Sequence, residues 1–152
     1  MRRAWSRAGL VLAAVLVVDQ VTKALVRADV ELGSADPVLP LVTLVHSRNR
    51  GVAFGVFEDQ IAVVVIAIAL AIGALVAYFA THGDRPLVWL PTGLLAGGAI
   101  GNVVDRVREG FVTDFIKLPS WPAFNVADMA ITFGVATLLL VVERSGGAAD
   151  RA

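Results

Sequence analysis

Asp114 and Asp128 are the residues of this chain best suited to chemistry. Pro119, Trp121 and Pro122 lie between them. Prolines prevent a continuous helix, so the chain can turn back here and bring the two carboxyl groups together. Two carboxylates in a dry place cannot both ionise easily, so one proton is shared. Such a pair suits acid–base hydrolysis: one carboxylate activates water while the other protonates the carbonyl oxygen or the leaving amine. Taken alone, Asp128 also reads as a first-turn acid behind an Asn125 N-cap, where negative charge is favoured. Asp114, flanked by Val112 and Phe115, is what turns a helix cap into a candidate dyad.

Other polar residues gather at the ends of apolar runs, where such groups are functional candidates. Asn102, Asp105 and Arg106 are spaced i, i+3, i+4 and share one helix face. They read either as a helix terminus with a neutralised Asp–Arg pair, or as an amide and a guanidinium holding a peptide backbone. Asp19 and Lys23 are four apart, with Gln20 beside them, and can pair. They serve either to hold helix ends in register or to support an active site.

The elements that carry these residues are apolar. Hydrophobic residues make up 57% of the 152, against about 45–50% in ordinary domains, and mean hydropathy is +0.77. That is the profile of a single integral membrane domain. Zero net charge gives no basic footprint for nucleic acid. There are no cysteines, hence no disulfide, thiol nucleophile or thiolate metal site. His46 and His82 read as solvated loop residues, and no metal or cofactor set is visible.

Four apolar blocks predict four transmembrane helices, near residues 8–26, 61–80, 87–104 and 126–142. The second holds no charge, and about 20 residues at 1.5 Å each cross a hydrocarbon core of roughly 30 Å. In the third, Gly93, Gly97 and Gly101 recur every four residues, line one face and allow a neighbouring helix close. The first block has no small-residue cleavage site after it and reads as a retained span. Arg2, Arg3 and Arg7 place the N-terminus in the cytoplasm, and four spans return the C-terminus to that side. Two segments, 27–60 and 105–125, are then outside. The β-branched run Val42-Thr43-Leu44-Val45 favours extended structure, which predicts a small extracytoplasmic sheet on the outer face, with Gly51 permitting a turn. Residues 145–152 read as a disordered tail.

The motifs resemble those of lipoprotein signal peptidase (signal peptidase II), an intramembrane aspartic endopeptidase of bacteria. Asp19-Gln20-Val21-Thr22-Lys23 is similar to its first motif and Asn49-x-Gly51-x-Ala53-Phe54 to its second. Gly101-Asn102-x-x-Asp105-Arg106, Val112-x-Asp114-Phe115 and Phe124-Asn125-x-Ala127-Asp128 follow in order. The resemblance implies four membrane helices, an outer sheet cradling substrate, and catalysis by Asp114 and Asp128 without a cofactor. It implies that Asn49, Asn102, Arg106 and Asn125 line the site, with Gly51 and Asp105 in its motifs and Asp19 and Lys23 supporting it. The implied substrate is a diacylglyceryl-modified prolipoprotein, cut just before its lipid-bearing cysteine at the extracytoplasmic face of the cytoplasmic membrane. The link between Phe115 and Ala127 looks shorter than in several relatives, implying a trimmed outer loop.

Two rivals come from other classes. A transporter or channel using intramembrane acids predicts polar residues spread through the membrane depth, whereas here they cluster at one level. A non-catalytic assembly factor predicts that neither aspartate is needed.

Overall fold

The computed structural model describes residues 1–51, 61–83 and 85–149; Ala53 and Phe54 of the second motif lie outside them. The order is α1 (Arg2–Asp29), β1 (Ala35–Leu39), β2 (Val42–Asn49), α2 (Ile61–His82), α3 (Trp89–Glu109), β3 (Val112–Lys117) and α4 (Val126–Ala149). Every helix runs past the C-terminal end of the apolar block that foretold it, although α3 starts two residues later than its block. Apolar runs mark only the part suited to hydrocarbon, whereas the backbone ladder continues through polar flanks. At 1.5 Å per residue the 28 residues of α1 span about 42 Å, longer than a hydrocarbon core of about 30 Å. For the same reason residues 145–149, expected to be disordered, continue α4: lengthening a nucleated helix costs little.

Three helical stretches, Arg2–Asp29, Ala62–His82 and Val126–Glu143, are long and apolar enough to cross a membrane. The third expected span, α3, is the exception. It carries Asn102, Asp105, Arg106, Arg108 and Glu109 in its last two turns, so its composition is that of an inner helix packed by protein. Its glycines show how that packing works. A Cβ at Gly93 would lie 2.7 Å from Ala8 O, one at Gly97 3.0 Å from Leu12 O, and one at Gly101 2.6 Å from Asp19 Oδ2. All three therefore face α1, as the four-residue recurrence predicts. Gly98 faces α4 instead, where a Cβ would lie 2.5 Å from Ala127 O. α3 ends at Gly110, whose φ of 77° is left-handed and whose N–H reaches Arg106 O at 3.1 Å.

The strands form one antiparallel sheet in the order β1-β2-β3. β1 and β2 come from the segment expected to be extended. β3 was not foreseen as a strand, although Val112-Thr113-Asp114-Phe115-Ile116 is rich in the branched and aromatic residues strands favour. It places Asp114 opposite Ser47 and Val112 opposite Asn49. Neither histidine is a solvated loop residue. His46 is buried in β2, where its Nδ1–H donates to Val30 O at 2.8 Å and so satisfies a carbonyl just past the end of α1. His82 closes α2, its ring stacked 4.4 Å from that of Tyr78.

Helix contacts this close leave no room for a methyl group. Gly98→Ala should force α3 and α4 apart and lower stability by about 1–3 kcal/mol, the usual range for overpacking. A lower thermal midpoint in detergent checks this.

Candidate active site

The site lies where α1 and α3 end, α4 begins and the sheet meets them. Asp114, on β3, is buried, and each of its oxygens accepts an amide hydrogen bond. Asn125 Nδ2 donates to Oδ1 at 2.6 Å and Asn49 Nδ2 to Oδ2 at 3.0 Å. Asp128, half-buried in the first turn of α4, accepts Asn102 Nδ2 on Oδ1 at 2.8 Å and the Asn125 backbone N–H on Oδ2 at 3.2 Å. Asn125 Oδ1 in turn accepts the Asp128 N–H at 3.0 Å. Asn125 and Asp128 thus form a reciprocal capping box at the start of α4. The cap also reaches the other carboxyl, because the Asn125 side chain donates to Asp114. Burial, followed by the negative charge of Asp128, pushes the Asp114 carboxyl up from 3.8 to about 7, against the opposing pull of the Asn49 and Asn125 amides and the Lys23 charge.

Behind the pair lies a fully buried ion network. The Lys23 ammonium meets Asp19 Oδ2 at 2.9 Å and Asp105 Oδ2 at 3.1 Å, and donates to Asn102 Oδ1 at 2.9 Å. Asp19 Oδ1 accepts the Ala127 N–H at 2.9 Å, and Asp105 Oδ2 the Thr113 N–H at 3.3 Å. Asp105 therefore pairs with Lys23 rather than with its sequence neighbour Arg106. The Arg106 guanidinium turns the other way, donating to Gly51 O at 2.6 Å and Asn102 O at 3.2 Å, while its buried Nε–H has no partner among the described residues. Asn49 Oδ1 accepts the Gly51 N–H at 3.0 Å, making the turn that aims the Gly51 carbonyl.

A cleft of about 660 Å³ opens over these groups, with Asn49, Gly51, Asn102, Arg106, Asp114 and Asp128 in its wall. Paired carboxyls, peptide-binding amides and a partly unsatisfied guanidinium can bind an extended peptide and hydrolyse it. Known proteins agree. The profile of signal peptidase (SPase) II matches residues 11–143. The chain is 42% identical to the lipoprotein signal peptidase of Moorella thermoacetica, over 82% of this chain and 84% of that one. It is 43% identical to the lipoprotein signal peptidase of a Methylobacterium species, over 92% and 90%. It also superposes on a bacterial membrane enzyme solved in meso at 2.3 Å, with a TM-score of 0.86, 30% identity and coverage of 91% and 88%. The chain belongs to the signal peptidase II family.

Most of the residues that the family motifs single out come together, in two tiers. Asn49, Gly51, Asn102, Arg106, Asp114 and Asp128 reach the cleft. Asn125, expected to line it, is instead fully buried beneath both aspartates, and Asp19, Lys23 and Asp105 sit deeper still. Sequence reasoning passed over Arg27, which donates to Thr113 Oγ1 at 3.1 Å and lies 4.0 Å from Asp105. Its signal was present: Asp19, Lys23 and Arg27 are spaced i, i+4, i+8 on one face. Gln20 also counts for more than a neighbour, since its Nε2 donates to Asp105 Oδ1 at 3.0 Å and to Asp19 Oδ2 at 3.1 Å.

Two outcomes follow from this signal peptidase II site. Lys23→Met leaves two buried carboxylates without their cation and should cost about 3–5 kcal/mol, read as a fall in thermal midpoint. The raised Asp114 carboxyl makes the folded state hold a proton that the unfolded chain releases above pH 3.8. Stability should therefore be highest below that pH and decline as pH rises towards about 7. Asp114→Asn should remove that slope from a plot of thermal midpoint against pH.

Proposed function

We propose that Asp114 and Asp128 are the cutting pair of this peptidase. As a signal peptidase II, the chain is a membrane aspartic endopeptidase that removes signal peptides from prolipoproteins. One observation carries the assignment to this pair: a single residue, Asn125, hydrogen-bonds both carboxyls, through its side chain to Asp114 and its backbone to Asp128. In this reading the more buried Asp114 holds the shared proton. Asp128, whose oxygens accept the Asn102 amide and the Asn125 N–H, acts as the base. Water between them passes a proton to Asp128 as its oxygen attacks the scissile carbonyl carbon, and Asp114 protonates the carbonyl oxygen. The resulting diol collapses as Asp128 returns its proton to the leaving amine and Asp114 recovers its own. Arg106 and Asn49, both in the wall of the cleft, hold the peptide backbone across it.

The substrate carries diacylglyceryl on the cysteine that follows the scissile bond, and release of the signal peptide leaves that residue at the new N-terminus. The arginines at 2, 3 and 7 support a cytoplasmic N-terminus, with the C-terminus on the same side. The cleft then opens at the extracytoplasmic face of the cytoplasmic membrane, and α3 is a fourth crossing shielded by its neighbours. A transporter fits less well, because the buried charged residues gather at one end of the bundle and α2 offers none at membrane depth.

The test is to incubate purified enzyme with a diacylglyceryl prolipoprotein and follow release of the signal peptide. Asp114→Asn and Asp128→Asn should each lower kcat by about 10³-fold, within the span general acid–base groups supply, while the protein stays folded. Full activity in either variant would overturn the assignment.

A further inference from the structure

Two hollows meet at Asp128. The broad outlet is the cleft itself, about 660 Å³, which reaches Ile68 of α2, Ala99 of α3 and Ile131 of α4. The narrower is a groove of about 300 Å³ lined by Leu118, Trp121, Phe124, Met129, Thr132 and Phe133. It starts at Asp128, which lies in the wall of both hollows. Met129 and Phe133 are one helical turn apart, so the groove runs from the carboxyl down the outer face of α4. Its opposite wall is held in place: Lys117 Nζ donates to Trp121 O at 2.6 Å, and the Trp121 N–H closes a turn onto Leu118 O at 3.2 Å. Trp121 and Phe133 remain 57% and 60% exposed, and Met129 38%.

The chemistry of the substrate selects the occupant, provided the dyad reading above is right. Two apolar bodies leave the scissile bond: the signal helix on its N-terminal side and the acyl chains one residue away on the other. A helix is about 10–12 Å across with its side chains and needs the broad outlet. An acyl chain is one methylene wide and joins the peptide beside the reacting carbonyl, so it must leave the cleft close to the carboxyls. We propose that the groove beside Trp121, Met129 and Phe133 seats an acyl chain of the substrate's diacylglyceryl group. The peptide then lies with its lipid-bearing cysteine towards Trp121 and its signal helix towards α2. Because lipid tails are as apolar as the groove, the groove contributes position and packing rather than a hydrophobic gain.

The test uses a prolipoprotein whose acyl chain bears a photoactivatable diazirine, with the adducts mapped on the full enzyme. A diazirine phospholipid in the same vesicles distinguishes substrate from bilayer lipid. Adducts on Leu118, Trp121, Met129 or Phe133, enriched for substrate over phospholipid, are expected. Met129→Trp should reduce them and raise KM about tenfold, the scale of a modest overpacking penalty, with an unchanged thermal midpoint. Adducts on Ile68, Ala99 or Ile131, equal labelling by the phospholipid, or an unaltered KM would each overturn the proposal. Signal-peptide release in the same samples reports separately on the dyad: release without groove adducts sinks only the acyl site.

Discussion

Everything at the catalytic end of this protein depends on one buried ammonium. Lys23 has no solvent exposure and touches Asp19, Asp105 and Asn102. Through those three it reaches α3, α4 and β3. Asp19 ties α1 to the start of α4, Asp105 ties α3 to β3, and Asn102 faces the cleft. A buried ion pair is poor evidence of net stability, because desolvation cancels much of the attraction. What it supplies here is geometry. The network has few alternatives, because each carboxylate oxygen already has its partner and Arg27 approaches as a second cation.

The ammonium also fixes the polarity of the groups in front of it. Lysine offers donors only, so the atom of Asn102 that faces it must be the carbonyl oxygen. The Asn102 NH₂ is thereby directed at Asp128. Asn125 Nδ2 donates weakly to the same oxygen at 3.3 Å and strongly to Asp114, so its orientation follows. An asparagine amide is symmetric enough in shape to sit either way round. In this site a charge two residues removed from the dyad decides the matter. Both aspartates consequently receive N–H donors: Asp114 from the Asn49 and Asn125 amides, Asp128 from the Asn102 amide and the Asn125 backbone.

How far the sequence alone revealed this depends on the range of the interaction. Contacts within one helix were legible: the Asp19–Lys23 pair, the Asn125 cap and the glycine stripe of α3 follow from periods of three and four. The four helices were visible as apolar runs, but their ends were not, because a helix does not stop where hydrophobicity does. Longer-range partners were out of reach. Nothing local shows that Asp105 prefers Lys23, 82 positions back, to Arg106 beside it. The strand at Val112–Lys117 was missed because its pairing residues, Thr43 to Asn49, lie in another segment. Asn125 was legible as a cap, but its side-chain bond to Asp114, 11 positions back on a strand, was not.

In the proposed mechanism, the placement of Asp114 on a strand and Asp128 at a helix start resolves a conflict in the chemistry of the pair. A carboxyl that keeps its proton near neutrality needs burial, yet hydrolysis needs water. Deep in the bundle the first need would be met and the second refused; on the open surface the reverse. Here the two demands fall on different residues. Asp114 is enclosed by the sheet and two amides, whereas Asp128 stands half-exposed at the mouth of the cleft. The sheet is what makes that division possible: it carries Asp114 inward on β3, where the Asn49 and Asn125 amides enclose it, while Asp128, on α4, lies in the wall of the cleft.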